Sequence, residues 1–270
     1  MKKIMITGET GYIARNLKDW LISKGFDAEC VSVRNGPPPN LSCYDAVVHC
    51  AALVHRRCRR ADCYKINTDL TRQLALMYKR SGGGLFVFIS TMSVYGKIGS
   101  IESNDTITKE TPARPSCHYG MSKLLAERAL LELEDASLRV AIIRPPMVYG
   151  KGCPGNFRLL ERIARITPLF PYINNKRSML HIKRLCGIIF TIINEDKRGF
   201  FYPQDARYHC TSQLVRKMAK SHGRKVLLST TLGRLVMLSN ISVVKKAFGN
   251  LMYDMALSRD IKEDMCEYNS

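Results

Sequence analysis

The sequence predicts an α/β fold: a doubly wound parallel sheet with a small C-terminal domain capping it. Three observations carry that expectation. Over residues 1–150, short apolar strand-like runs alternate with amphipathic helical runs. A glycine-rich turn joins the first strand to the first helix at the N-terminus. Beyond about residue 151 the alternation loosens, as a capping domain would require. Residues 1–150 are therefore read as a nucleotide-binding domain and residues 151–270 as a small substrate-binding domain. Some elements of the second domain are expected to return to the sheet, and its tail, residues 259–270, to be exposed.

Residues 2–7 read as a buried parallel strand, followed at once by Gly8-Glu9-Thr10-Gly11-Tyr12-Ile13-Ala14. Gly8 permits a tight turn, Gly11 lets the backbone approach a pyrophosphate, and Ala14 is small enough for close helix–strand packing. Strand, glycines and helix in that order are the signature of a Rossmann-type dinucleotide site. The helix carries Leu17, Trp20, Leu21 and Ile22 inward and ends near Gly25. Residues 27–33 are the second strand. At its end, where a carboxylate usually takes the ribose hydroxyls of NAD, stand Ser32 and Arg34. Arg34 can pair with a 2′-phosphate, so the reading is NAD or NADP with NADP slightly favoured. Only about ten residues, including Pro37-Pro38-Pro39, separate Arg34 from the next strand at 45–50. A helix plus a strand does not fit there, so one βα unit is missing or reduced to a loop.

Ala51-Ala52 follow that strand, small enough for close passage beneath a cofactor. Residues 64–78 read as a helix with Ile66, Leu70, Leu74 and Met77 on one face, and Asn67 as a structural link. Gly82-Gly83-Gly84 turn the chain into a strand at 85–90. Thr91-Met92-Ser93-Val94-Tyr95-Gly96 stand at its C-terminal end, where open α/β sheets place ligand sites. A long loop with Asp105, Glu110, Pro112 and Pro115 then delivers Tyr119-Gly120-Met121-Ser122-Lys123. Leu124, Leu125, Ala129, Leu130 and Leu133 make this run helical, and four residues are about one turn, so phenol and ammonium share a face. The ammonium is expected to bring the phenol's pKa down, preparing it to take a proton from a sugar or alcohol hydroxyl. A further strand at 139–144 ends in Pro145-Pro146-Met147-Val148-Tyr149-Gly150.

Composition excludes several classes. Ten cysteines stand singly with no Cys-x-x-Cys pair, which reads as reduced thiols and no metal site. No run reaches membrane-span length and no signal peptide precedes the first strand, so a cytoplasmic protein is expected. The net charge of +19 predicts attraction to polyanions. The densest basic block, His55-Arg56-Arg57-Cys58-Arg59-Arg60, reads as a solvated helix start. No nucleic-acid motif accompanies it, so nucleic acid is not expected as a partner. Residues 226–253 mix Leu, Val, Ile and Met with Arg234, Lys245 and Lys246. They read as packed helices of the cap, in preference to a peripheral contact with an anionic bilayer.

Taken together, these motifs resemble the extended short-chain dehydrogenase/reductase superfamily, in its NAD(P)-dependent nucleotide-sugar epimerase/dehydratase branch. The resemblance runs over about residues 1–220 and includes His49-Cys50-Ala51-Ala52, Asn67, and Asn174-Asn175-Lys176-Arg177-Ser178-Met179. It implies Tyr119 as acid/base, Lys123 as the partner of the nicotinamide ribose, and Thr91 as hydrogen-bond donor to the reacting oxygen. It further implies cofactor contacts at Gly8, Thr10, Gly11, Tyr12, Ile13, Arg34, Ala51, Ala52, Ser90, Pro146 and Val148. Substrate contacts are implied at Thr91, Met92, Ser93, Asn156 and Arg177, the last two on the diphosphate. His181 is taken as structural.

Dehydratases of the branch carry an acidic pair directly after the Thr, and Met92 and Ser93 replace it here. The implied activity is therefore 4-epimerisation of a nucleotide- or lipid-diphosphate-linked hexose through a transient 4-keto sugar. A 4-ketosugar reductase using NADPH is the alternative, and a non-catalytic NADP(H)-sensing module a more distant one. Homodimers through the helices at 64–78 and 119–134 are also implied by the resemblance.

Overall fold

A computed structural model describes residues 1–54, 60–239 and 241–258. The chain opens with β1 (Lys3–Thr7), whose Ile4, Met5 and Ile6 are fully buried, as expected of a central strand covered on both faces. After the glycine turn come α1 (Tyr12–Ser23) and β2 (Asp27–Val31). Leu17 and Leu21 of α1 point inward as expected, but Ile22 is 50 % exposed. One residue beyond Leu21 is a rotation of about 100°, which carries Ile22 off the apolar stripe.

The loop after β2 runs directly to β3 (Ala46–His49) with no intervening helix or strand. Beyond it lie α2 (Arg60–Tyr64), a single π turn (Lys65–Asp69) and α3 (Leu70–Arg80). The basic block's His55, Arg56, Arg57, Cys58 and Arg59 lie outside the described residues. The buried face differs from the one read from the sequence. Asn67, Thr71, Leu74 and Tyr78 are buried, whereas Ile66, Leu70 and Met77 are only half-buried. The buried side takes the polar Asn67 and Thr71, which bond Leu53, Ser122 and His49 and which an apolar count leaves out.

Next come β4 (Gly84–Ile89), a 3₁₀ turn (Met92–Tyr95), β5 (Asp105–Ile107), α4 (His118–Leu133), β6 (Leu138–Ile143) and β7 (Met147–Tyr149). The remainder comprises α5 (Asn156–Ile166), β8 (Leu169–Pro171), β9 (Met179–His181), α6 (Ile182–Asn194) and β10 (Gly199–Phe201). It closes with α7 (Thr211–Ser221), β11 (Leu227–Ser229), α8 (Thr230–Leu238), α9 (Ser242–Phe248) and β12 (Leu251–Tyr253).

Among the described residues the main sheet has six parallel strands in the order β10-β6-β4-β3-β1-β2. With the βα unit after β2 absent, β2 is the edge of the sheet. The chain order reverses between β1 and β3, and that crevice is where such sheets bind nucleotides. Helices α1 and α6 cover one face, burying Leu185, Ile188, Ile189 and Ile192 against the strands. Helices α3 and α4 cover the other, over Phe86, Phe88, Val140 and Ile142. Each such side chain contributes about 1.5–3 kcal/mol of burial free energy. A separate small core joins α5, α7, α9 and the β8–β11 pair around Ala164, Phe170, Val215 and Phe248.

Candidate active site

Two backbone approaches shape the glycine loop. Gly8 has φ +84°, and a Cβ there would sit 3.0 Å from the backbone nitrogen of Ala51. A Cβ on Gly11 would lie 2.9 Å from the Gly8 carbonyl oxygen, which already accepts the Gly11 N–H at 2.7 Å. Any larger residue would force the loop away from the β3 end. Gly11 also begins α1 with no side-chain cap, so the first N–H groups of the helix are left to face an anion. Thr10 and Gly11 are exposed at this point, and Tyr12 and Ile13 are half-buried behind them.

Beneath the loop lies a buried polar network. Parallel pairing sets Thr7 beside His49. The Thr7 hydroxyl contacts His49 Nδ1 at 2.8 Å and accepts the Ala51 N–H at 3.2 Å, while the Thr71 hydroxyl contacts His49 Nε2 at 3.0 Å. Burial, with the nearby Lys123 charge, pushes His49 down to about 3, so its ring is neutral and acts as a bridge between β1, β3 and α3. Asn67, in the π turn, accepts the Leu53 N–H at 2.7 Å. It donates to the Leu53 carbonyl at 3.2 Å and to the Ser122 hydroxyl at 3.0 Å. Asn67 thus ties the strand-end loop to α4.

The 3₁₀ turn and α4 hold the expected reacting groups. Thr91 caps the turn, accepting the Ser93 N–H at 3.1 Å, and its hydroxyl also lies 3.2 Å from that of Ser93. Tyr119 is half-buried in the first turn of α4, where the Thr91 side chain favours the charged form of its phenol. Lys123, one turn on, is 1 % exposed, with Nζ 3.9 Å from the centre of the Phe88 ring and no hydrogen-bond partner among the described residues. The expectation that Lys123 lowers the Tyr119 pKa is not met by the protein alone. Burial pushes the phenol up to about 12 against the opposing Thr91 hydrogen bond, and pushes Lys123 down to about 7. Desolvation outweighs pairing for both groups: water has been removed from each, and the Glu127 charge near Lys123 is too weak to offset it.

An orphaned ammonium beneath a glycine cradle fits a dinucleotide, whose ribose hydroxyls and pyrophosphate match Nζ and the α1 N-terminus. Of the other residues implied for the cofactor, Ala51 and Ala52 are half-buried at the end of β3, and Val148 is half-buried in β7. Arg34 is exposed just past β2. Ser90 is buried with its hydroxyl donating to Glu127, and Pro146 is buried just past the end of β6. Met92 is likewise 8 % exposed, packed with Val94, Tyr95, Ile107 and Tyr253. Asn156 is exposed at the start of α5. Arg177 donates Nη1 to the Gly249 carbonyl at 2.7 Å, and burial brings its guanidinium down to about 10, still charged at neutral pH.

Two groups of residues escaped the sequence reading. Glu127 continues the one-turn spacing of Tyr119 and Lys123 and receives Arg144 through Nε at 3.0 Å and Nη2 at 2.6 Å. Arg144 Nη1 donates to the Tyr95 hydroxyl at 2.8 Å. Burial opposes the Arg144 charge, but Glu127 and Tyr95 outweigh it and hold the guanidinium firmly protonated. The spacing 119, 123, 127 was the available signal. The second group is Asp205, which accepts from the Tyr149 hydroxyl at 2.8 Å, the His181 N–H at 3.0 Å and His209 Nε2 at 2.8 Å. Nothing in the spacing of these residues announces that cluster. His181 is half-buried and edge-on to Tyr149 at 5.1 Å.

A parallel sheet with a glycine loop at its crevice and a Thr, Tyr and Lys at the adjoining strand end defines a dinucleotide-dependent α/β enzyme. Residues 4–201 match the NAD dependent epimerase/dehydratase family, and the chain belongs to that family. A UDP-glucose 4-epimerase from Vibrio cholerae is 31 % identical over 248 residues, covering 81 % of this chain and 75 % of its own. Among solved structures, a UDP-glucuronic acid 4-epimerase from Bacillus cereus in complex with NAD superposes with TM-score 0.69 at 17 % identity, covering 91 % of this chain and 94 % of its own. A dTDP-4-dehydrorhamnose reductase from Bacillus anthracis in complex with NADP superposes with TM-score 0.68 at 20 % identity, covering 84 % and 83 %. The two structural likenesses speak to fold.

Proposed function

We propose that the protein is a 4-epimerase of an activated hexose, one linked to a nucleotide or lipid diphosphate. The observation that carries this reading is the Thr91, Tyr119 and Lys123 set with Met92 and Ser93 where a dehydratase needs acids. The likeness to a UDP-glucose 4-epimerase supports it. A bound dinucleotide would supply reversible hydride exchange at the sugar carbon. The glycine loop and the α1 N-terminus would hold its pyrophosphate, and Lys123 would hold its ribose.

Tyr119 handles the proton. As the phenolate its oxygen, acted on by Thr91, takes the proton of the C4 hydroxyl and becomes the phenol, which returns that proton to the same sugar oxygen after the sugar turns over. Lys123 gains partners and charge in that complex, and an ammonium one helical turn from the phenol then favours the phenolate. Thr91 donates to the oxygen as charge develops on it. Asn156 and the Arg177 fork hold the diphosphate.

Tyr119→Phe should lower turnover of a UDP-hexose by about 10²–10⁴-fold, followed by NMR of the two epimers. Full activity in that variant sinks the mechanism. A 4-ketosugar reductase is the second reading, favoured by Arg34 standing exposed where a 2′-phosphate would bind. Mass analysis of any dinucleotide released on denaturation separates the two. Retained NAD⁺ favours the epimerase, whereas empty protein that consumes NADPH stoichiometrically favours the reductase.

A further inference from the structure

The charge of this protein is concentrated in one part of it. Residues 151–253 contain nineteen Lys and Arg against four Asp and Glu, a net +15 within the total of +19. Between Asp205 and Asp254 there is no acidic residue at all. Within the same stretch, helix α8 is amphipathic in an unusual sense. Its inner side is committed to the cap: Gly233 abuts the Tyr172 carbonyl, and Val236 packs on the small core around Phe170. Its outer side, at helical spacing, presents Thr231, Arg234, Leu235 and Leu238 to solvent. Leu235 is 62 % and Leu238 82 % exposed, and Ile241, just past the helix, is 58 % exposed. Leu227, preceding α8 on β11, is 71 % exposed and pairs in register with Leu169, itself 47 % exposed.

We propose that this outer side of the cap docks on an anionic bilayer surface. The expectation of packed helices is met by only one side of α8, and burial among the described residues does not account for the large aliphatic side chains on the other. Arg224, Lys225, Arg234 and Lys246, on the same stretch of chain, are exposed. Aliphatic residues set among cations, with no nearby acid in the sequence, match an anionic lipid surface: headgroups take the basic residues and the acyl boundary takes the leucines. A neutral protein partner would not use the charge, and a nucleic acid would not use the leucines. Contact is peripheral, because no helix among the described residues is long and apolar enough to cross a membrane.

The test is flotation of the purified full chain with vesicles of phosphatidylglycerol and phosphatidylcholine, against vesicles of phosphatidylcholine alone. The wild type should float with the anionic vesicles at 50 mM NaCl, leave them at 500 mM, and ignore the neutral ones. Leu235→Glu with Leu238→Glu should cut the bound fraction at least tenfold while leaving the melting temperature unchanged, since both side chains are exposed. Failure of the wild type to bind at low salt overturns the proposal. So does equal binding by the double variant. A wild-type dimer in sedimentation that the double variant dissolves, without vesicle binding, assigns the surface to a second copy of the chain and also overturns it. Turnover of a soluble UDP-hexose is independent of this surface, so the proposed catalytic function stands or falls separately.

Discussion

Lys123 holds the tension of this protein at the scale of a single residue. Its Nζ is buried against the Phe88 ring with no hydrogen bond among the described residues, and burial holds its pKa near 7. Unpaired buried charge is a cost to the fold and a resource for a ligand that brings partners. Lys123→Met should therefore abolish activity and stabilise the fold by about 1–3 kcal/mol, at about 2–4 °C per kcal/mol. The sign with pH is fixed by linkage. The folded pKa lies below the unfolded value of 10.5, so the unfolded chain binds the extra proton between about pH 7 and 10.5. Wild-type stability rises through that window, and the advantage of the Met variant is largest below pH 7. Melting curves of both proteins across pH 6–10 check it.

At the scale of elements, α4 is held by ionic and polar contacts as well as by packing. Glu127 joins it to the end of β6 through Arg144 and to the end of β4 through Ser90, and Thr68 and Asn67 of the π turn grip Ser122. The result is a rigid mount for Tyr119 on one turn and Lys123 on the next. Glu127→Ala leaves the Arg144 guanidinium buried and uncompensated and should cost about 3–5 kcal/mol in urea unfolding. Tyr119 and Lys123 were legible in the sequence because a four-residue spacing survives any tertiary context. The face of the 64–78 helix was not, because its buried side carries the polar Asn67 and Thr71, whose bonds to Leu53, Ser122 and His49 leave no mark in an apolar count.

At the scale of the whole molecule, distant segments of the chain are joined through Asp205. Tyr149, which continues the chain from β6, and His209, which pairs with Arg177 in an isolated bridge, both bond its carboxylate. Burial alone would raise the Asp205 pKa, but His209, the His181 N–H and Tyr149 outweigh it and hold the carboxyl below its usual value. The stability this contributes is present above the unfolded carboxylate pKa and is lost as pH falls through the folded one. Asp205→Ala should cost about 1–3 kcal/mol at neutral pH, read by thermal melting, through the orphaned Tyr149 and His209 partners.

Local chemistry by itself determined the strand–helix alternation, the glycine turn, the shortened connection after β2, and the Thr91, Tyr119 and Lys123 spacing. Each of these depends on neighbours within a turn or a loop of the same segment. Only the tertiary structure decided that Ser90 serves Glu127, that Met92 packs inward, and that Asp205 gathers Tyr149, His181 and His209. It also decided that burial, rather than mutual charge, governs Tyr119 and Lys123 in the protein alone. Desolvation and long-range hydrogen bonding depend on which distant segments exclude water from a group, and no local pattern records that.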